Sequence, residues 1–501
     1  MHNLWAEDIN HEIVEKSGSS VGRAEKQTAS HPTEQAVLSA LRAWLLSDYV
    51  APYCRSLAAT RIFRRCFLID GLGGTRKTGK DVGTRFIMPI RLPEPQARTQ
   101  SVGSRNEDPM PIRRPNNLEP QARTQSVWES GSRNTDPAST SSAEALTLNI
   151  FDDLTEGALS EKPQKQAHSL SIPPILQPIV SLAQELAGES KPITLQGMIL
   201  EGGKNKAKSA DRPFALPKAS ALISANWREI APALLPAIEQ FAAIFLLNPI
   251  SPTSQQHEIP FFTYDDLVPF YQRTAPTELC LLIAHKHIEN RLLPALRTPP
   301  GAAAFTSLLR SDRWKTLLAK DDDIAKTIHS VIDLFQAAMQ PHFLAVQRIA
   351  FPMLLGPASI EDTPYTLLFA TRRQDSLVCM NDAVCSYRRR LEEHSHRGLL
   401  NEAWFREQQR ARHEAALQHL KEDTLRRGRA QSPRRWPDLR QQLLIAHFGQ
   451  WLQRDYDEII LNLLQSGELR CDWKHPALAG ALSRVPGNED TLLWSEKKKR
   501  Y

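Results

Sequence analysis

No two of the six cysteines (Cys54, Cys66, Cys280, Cys379, Cys385 and Cys471) are spaced as a C-x-x-C pair, and no Cys/His set follows a zinc-binding pattern. The spacings thus predict no metal centre, and several thiols sit in apolar runs, where a reduced cysteine acts as a small hydrophobe. Long hydrophobic runs are lacking too. Stretches such as Phe241–Leu247 fall far short of the roughly 20 residues that cross a bilayer. Residues Met1–Ser20 are polar, mixed in charge and without the apolar segment of a secretory signal. These absences predict a cytoplasmic protein with no membrane segment. A P-loop is also missing, because Gly74-x-x-x-x-Gly79-Lys80 is followed by Asp81 where Ser or Thr is needed. Neither sign of charge dominates: 62 Lys+Arg against 56 Asp+Glu give +6, a weak pull on polyanions.

What is present is a core. The chain has 501 residues, of which 41% are hydrophobic, enough for two or three domains once irregular stretches are discounted. Residues 1–32 read as a flexible tail. From Val37 to Leu46 apolar residues recur at helical spacing behind Thr33 and Glu34. The run Arg65–Asp70 reads as a buried strand entering Gly71-Leu72-Gly73-Gly74. Further strands are expected at Ala145–Phe151, Ile193–Leu200, Ile244–Asn248, Glu278–Ala284 and Tyr365–Ala370. Helices are expected at Ile175–Leu186, Trp227–Phe241, Tyr264–Tyr271 and between Ile288 and Val346. Strands alternating with helices predict an α/β, Rossmann-like fold, a mostly parallel sheet with helices on both faces.

Two segments stand apart. Glu94–Val102 returns intact as Glu119–Val127, and Gly103–Pro109 returns with one change as Gly131–Pro137. Copies so alike, with almost nothing apolar to bury, read as a duplicated low-complexity insert at 91–143 within a core spanning 33–385. In 386–436 the composition shifts: Ser386–Arg435 holds 13 Lys+Arg against 7 Asp+Glu, with a long charged helix at Leu399–Arg427. Arg388, Arg389, Arg390, Arg426, Arg427 and Arg429 are the candidate phosphate contacts there. A solvated, salt-bridged helical face explains the same composition. In 437–501, helices at Leu439–Phe448 and Asp455–Leu464 followed by a strand at Glu468–Asp472 give the order of a winged-helix module.

In a parallel sheet, ligands bind beyond the carboxyl ends of the strands, which points at Asp70–Gly74, Asp152–Asp153 and Asn248–Ser251. Glycines allow backbone to approach a nucleotide, and a strand-end carboxylate accepts bonds from a ribose or an ammonium. A glycine turn after a strand is equally what a positive φ demands. Asn248-Pro249 offers carbonyl acceptors to an exocyclic amine on a rigid turn, though Asn-Pro is also an ordinary turn signal. Alternate residues of a strand share a face, which would let His285 and His287 bind a metal; no third ligand lies nearby in sequence, so solvated or hydrogen-bonded histidines are expected instead.

Taken in order, these segments resemble the three-Cys-motif partner protein family, TcmP. Ile69-Asp70-Gly71-Leu72-Gly73-Gly74 is similar to that family's Ile-Asp-Gly-Phe-Ala-Gly-Pro-Gly. Asn248-Pro249-Ile250-Ser251, Ile259-Pro260-Phe261 and Thr277-Glu278-Leu279 fall where the family carries Asp-Pro-aromatic-Gly, Ile-Pro and Thr-Glu-Val. Arg313-Trp314 and Leu367-Leu368-Phe369-Ala370-Thr371-Arg372 resemble later landmarks. The likeness covers about 33–385 without the insert. It implies a methyltransferase-like core and a partner protein bearing a three-Cys motif. S-adenosylmethionine would lie over Asp70, Gly71, Gly73 and Gly74, with Asp152 or Asp153 on its ribose and Asn248 with Pro249 orienting the amine of a nucleic acid. Gly73, Thr75, Arg76, Asn248 and Ser251 depart from the pattern, so a diverged member is expected. The alternative is an inactive scaffold that binds nucleic acid or a partner protein through its basic C-terminal region.

Overall fold

The computed structural model describes residues 34–73, 172–201, 216–250, 262–320, 324–353, 363–396, 402–432, 434–475 and 484–494. The flexible tail, the duplicated insert, the expected strand Ala145–Phe151, and Gly74, Asp152 and Asp153 lie outside these residues. A helix runs through α1 (Glu34–Trp44), a π turn (Leu45–Val50) and α2 (Ala51–Ala59). Pro52 explains the widened turn, because its ring cannot tolerate the carbonyl four residues earlier at α spacing.

Strands β1 (Arg65–Gly71), β2 (Thr194–Leu200), β3 (Ala221–Ile223), β4 (Ala242–Leu247), β5 (Thr277–Ala284), β6 (Ala345–Phe351) and β7 (Tyr365–Thr371) form one sheet in the order β3-β2-β1-β4-β5-β7-β6. The first five strands are parallel neighbours, while β7 runs antiparallel to both β5 and β6. The mixed α/β expectation therefore holds, with a mostly parallel sheet. Alternate residues of each strand supply two separate cores. Cys66, Leu68, Ile244 and Leu246 pack with α1, α2, α3 (Gln177–Ala187) and α10 (Gln374–His396). Phe67, Ile69, Phe245 and Leu247 pack on the other face with α4 (Trp227–Ala237), α5 (Tyr264–Gln272), α6 (His285–Arg297), α7 (Pro299–Leu309), α8 (Arg313–Lys320) and α9 (Ile324–Met339).

Two arginines close helices on that second face. The last carbonyls of a helix have no partner within it and sit at the negative end of its dipole. Arg273 donates to Ile238 O at 3.2 Å and Phe241 O at 2.7 Å just beyond α4, and its Nε reaches Thr277 Oγ1 at 3.0 Å. Burial pushes the Arg273 guanidinium down to about 10, still charged at neutral pH. Arg372 donates to Phe270 O, Tyr271 O and Arg273 O at the end of α5, at 2.9, 2.6 and 2.5 Å, and to His342 O at 3.0 Å. Arg372→Ala orphans four carbonyls and is expected to cost on the order of 2–3 kcal/mol in urea unfolding, with Arg372→Lys recovering only part, because one ammonium cannot match the guanidinium fork.

On the first face one carboxyl joins three elements. Glu278 of β5 is fully buried. Tyr53 of α2 donates to its Oε1 at 2.7 Å and Ser376 of α10 to its Oε2 at 2.6 Å, while Tyr49 of the π turn meets the Ser376 hydroxyl at 2.9 Å. Burial lifts the Glu278 carboxyl to about 7, against the lowering by its Ser376, Thr371 and Tyr53 hydrogen bonds. The folded chain therefore binds a proton more tightly than the unfolded chain between the ordinary carboxylate range and pH 7. This group's contribution to stability should fall as pH rises through that window and level off above it. Thermal melts of Glu278→Gln against the parent across pH 5–8 should show the parent losing ground up to about pH 7 and holding constant beyond.

The remaining elements are α11 (Glu402–Ala430), β8 (Arg434–Arg435), α12 (Trp436–Ala446), α13 (Gln453–Gln465), β9 (Leu469–Asp472) and β10 (Thr491–Trp494). The three short strands make an antiparallel sheet in the order β8-β10-β9. The expected border at 385/386 falls inside α10, which runs on as one helix to His396. Asn381 of α10 accepts from Gly449 N at 2.8 Å and donates to Trp451 O at 2.7 Å, and Asp382 accepts from Gln453 N at 2.9 Å. The C-terminal elements and the large sheet thus belong to one compact unit. Among the described residues no helix is long and apolar enough to cross a membrane.

Candidate functional site

The sheet turns its connections at its centre: β1 has β2 on one side and β4 on the other. Strands connected in opposite directions leave a crevice between their carboxyl ends, because no crossover helix covers it there. Asp70 stands beside Leu246 and Gly71 beside Leu247, so Asn248 begins one residue past the end of β1's neighbour. The glycine turn and the Asn-Pro turn therefore lie side by side, as their sequence positions predicted.

Gly71 and Gly73 are glycines for different reasons. A Cβ on Gly71 would meet Leu247 Cδ2 at 2.8 Å and Leu200 Cδ1 at 3.5 Å, so this position is set by packing. Gly73 has φ +74°, and a Cβ there would meet nothing within 4 Å among the described residues. Its backbone holds a conformation that favours glycine.

Asp70 is almost fully buried, and its carboxylate is already engaged. Arg42, from the last turn of α1, donates from Nε to Oδ2 at 2.5 Å and from Nη2 to Oδ1 at 3.2 Å. The same Nη2 reaches Gly73 O at 2.8 Å, and Leu72 N donates to Oδ1 at 3.0 Å. One guanidinium so ties strand end, glycine turn and α1 together. Arg42 was missed in the sequence, where its only signal is a cation in a helix's last turn.

On the other side of the crevice, Asn248 Oδ1 accepts from Ile250 N at 3.0 Å, closing an Asx turn. Pro249 O accepts from Phe262 N at 2.9 Å. Both oxygens assigned to an incoming amine already hold one donor, and each keeps a second acceptor direction.

Comparison with protein-family models, curated proteins and solved structures finds no match for this chain.

Both histidines are hydrogen-bonded, but not from a shared strand face. The strand ends at Ala284 and α6 starts at His285, so the two rings leave the chain at helical angles and share no strand face. His285 Nε2 contacts Thr366 Oγ1 at 2.8 Å, and its ring stands edge-on to His329 at 5.0 Å. Burial first, then the nearby His329 and Arg348, push His285 down to about 4, so it is neutral. His287 turns the other way, with Nδ1 3.0 Å from Ile250 O. Among the described residues no group of three or more His, Cys, Asp or Glu could hold a metal ion.

Five of the six candidate phosphate-binding arginines have partners within the chain, while Arg390 and Arg426 keep much of their side chains exposed. Arg388 donates to Gly449 O at 3.1 Å, Arg389 pairs with Asp455 at 2.6 Å, and Arg390 pairs with Asp48. Arg426 and Arg427 both pair with Asp423, which also accepts from His447 at 2.9 Å. Although burial opposes it, bonds from His447, Arg427 and Arg426 hold the Asp423 carboxyl down to about 2. Arg429 is partly exposed, with a buried Nε. On α13, the helix a winged-helix module would present to a groove, the exposed residues are Arg454, Glu458, Asn462 and Gln465, one cation and one anion. Such a face offers phosphates no net attraction.

Removing the Arg42 side chain should leave the Asp70 carboxylate buried and short of partners. Arg42→Ala is expected to lose on the order of 3 kcal/mol in urea unfolding, and a double-mutant cycle with Asp70→Asn should show coupling above about 1 kcal/mol.

Proposed function

We propose that the chain is a diverged TcmP-like protein whose methyltransferase-like core binds S-adenosylmethionine at the central crevice. The observation that carries this reading is the side-by-side placement of the Asp70–Gly73 turn and the Asn248–Pro249 turn at adjacent carboxyl ends. The sheet order supports it. An order of β3-β2-β1-β4-β5 followed by a reversed β7 and an outer β6 is the arrangement of methyltransferase-like Rossmann cores.

The residues present fit such a ligand. Among the described residues nothing lies within 4 Å of a Cβ on Gly73, and the adjoining Arg42 and Asp70 offer a cation beside a carboxylate, the pair that complements a zwitterionic amino-acid end. Arg42 would face the ligand's carboxylate and Asp70 its ammonium, while Gly71 and Gly73 keep the turn close to the strand ends. Asn248 and Pro249 bracket the opposite side of the crevice, where their second acceptor directions would orient an amine. The cofactor brings a methyl group already activated by its sulfonium, so the protein's own task is proximity and alignment. A partner protein with a three-Cys motif follows from the family resemblance, an amine of a nucleic acid as target from the Asn248-Pro249 turn, and a cytoplasmic setting from the lack of long apolar runs.

One observation favours a second reading. Arg42 already satisfies Asp70, and a carboxylate engaged in this way suits a scaffold that acts through its C-terminal elements. The winged-helix order, with β8 and β10 framing α12, α13 and β9, supplies such a docking module.

Isothermal calorimetry of the full chain with S-adenosylmethionine separates the two. Saturable binding, lost in Gly73→Val and accompanied by a rise in melting temperature, is the expected result. No heat and no thermal shift would remove the enzyme and leave the scaffold.

A further inference from the structure

His287 takes no part in the motif reading, yet it is anchored to the same turn as Asn248. Ile250 holds both: its N–H bonds Asn248 Oδ1 at 3.0 Å, and its carbonyl lies 3.0 Å from His287 Nδ1. A carbonyl oxygen can only accept, so Nδ1 carries the hydrogen. That fixes the tautomer and places the lone pair on Nε2. The ring is half-buried, three residues beyond the end of β5, itself the parallel neighbour of β4.

The charges that face the ring are Glu34 of α1 and Lys286 and Arg291 of its own helix, with the Ile250 carbonyl from the turn. Burial outweighs Glu34 and that carbonyl, aided by Arg291 and Lys286, and holds His287 below the ordinary histidine range. It is therefore neutral, and able to take up a proton, at neutral pH.

The geometry points to His287 as the proton acceptor of this site, a catalytic base whose Nε2 serves an amine held at the Asn248–Pro249 turn. The inference rests on the methyl-transfer reading above. As the amine's lone pair forms the new nitrogen–carbon bond, the pair of the broken carbon–sulfur bond stays on sulfur, leaving a neutral thioether. The proton shed by the nitrogen passes to His287 Nε2, and the imidazolium then returns it to water. The Asn248 side chain and Pro249 carbonyl accept the amine's other hydrogen, so one turn sets both orientation and proton exit.

Two measurements on the full-length protein test this. Nitrogen-15 spectra of histidine-labelled protein, assigned with His287→Gln, should show His287 as the Nδ1–H tautomer titrating below 6.5; an Nε2–H tautomer, or a midpoint above 6.5, overturns the proposal. Diethylpyrocarbonate labelling read by mass spectrometry should modify His287, with at least about five-fold protection by S-adenosylhomocysteine and none at the exposed His419. Calorimetric binding of S-adenosylhomocysteine without that protection overturns the role of His287 and leaves the cofactor reading standing. Absence of any calorimetric binding overturns the cofactor reading, and the base with it.

Discussion

β4 buries all six of its residues and β5 all eight, and β1 is buried from Cys66 to Asp70. Strands covered on both faces can present polar groups to a ligand only where they stop. Everything distinctive about the candidate site follows from that constraint. Asp70, the Gly73 turn, Asn248 and His287 all occur within a few residues of a strand's carboxyl end. Parallel pairing puts those ends at one rim of the sheet, and reversal of the connections between β1 and β4 opens a gap there.

The same enclosure dictates how the arginines are used. Helices packed on a buried sheet end against protein rather than water, so their last carbonyls need donors from the chain itself. Arg273 and Arg372 meet that need at α4 and α5, and Arg42 meets the equivalent need of the glycine turn and its aspartate. Arg388, Arg389 and Arg390 fasten α10 to the C-terminal elements and to Asp48. Part of the cation content behind the +6 excess is thus committed to acceptors within the chain. Of the candidate phosphate contacts, Arg426 keeps the most exposed side chain of those in ion pairs.

Glu278 illustrates the cost and use of a polar group in this interior. A carboxyl enclosed on all sides survives because two hydroxyls bond its oxygens, and in doing so it registers α2 and α10 on the sheet. The α10 helix, anchored there at its first turn, then carries Asn381, Asp382 and Arg389 to the loop before α13 and to its start. The C-terminal elements are in this way continuous with the core, which composition alone divided at residue 385.

Apolar runs by themselves announced β1, β2, β4, β5 and β7, since a strand buried on both faces has an unbroken hydrophobic signature, and Gly73 announced its turn because only φ above zero demands it. The edge strand β6 escaped because Gln347 and Arg348 interrupt its pattern where one side meets solvent, and three-residue β3 is too short to show any period. His285 and His287 were misplaced because a hydrophobic run shows where apolar residues lie but not where the backbone changes from strand to helix. Strand order, the pairing of Arg42 with Asp70 across 28 residues, and the meeting of His287 with Ile250 across 37 were settled only by the folded chain. Local sequence records what each segment buries; which polar group meets which depends on long-range packing that no neighbouring residue encodes.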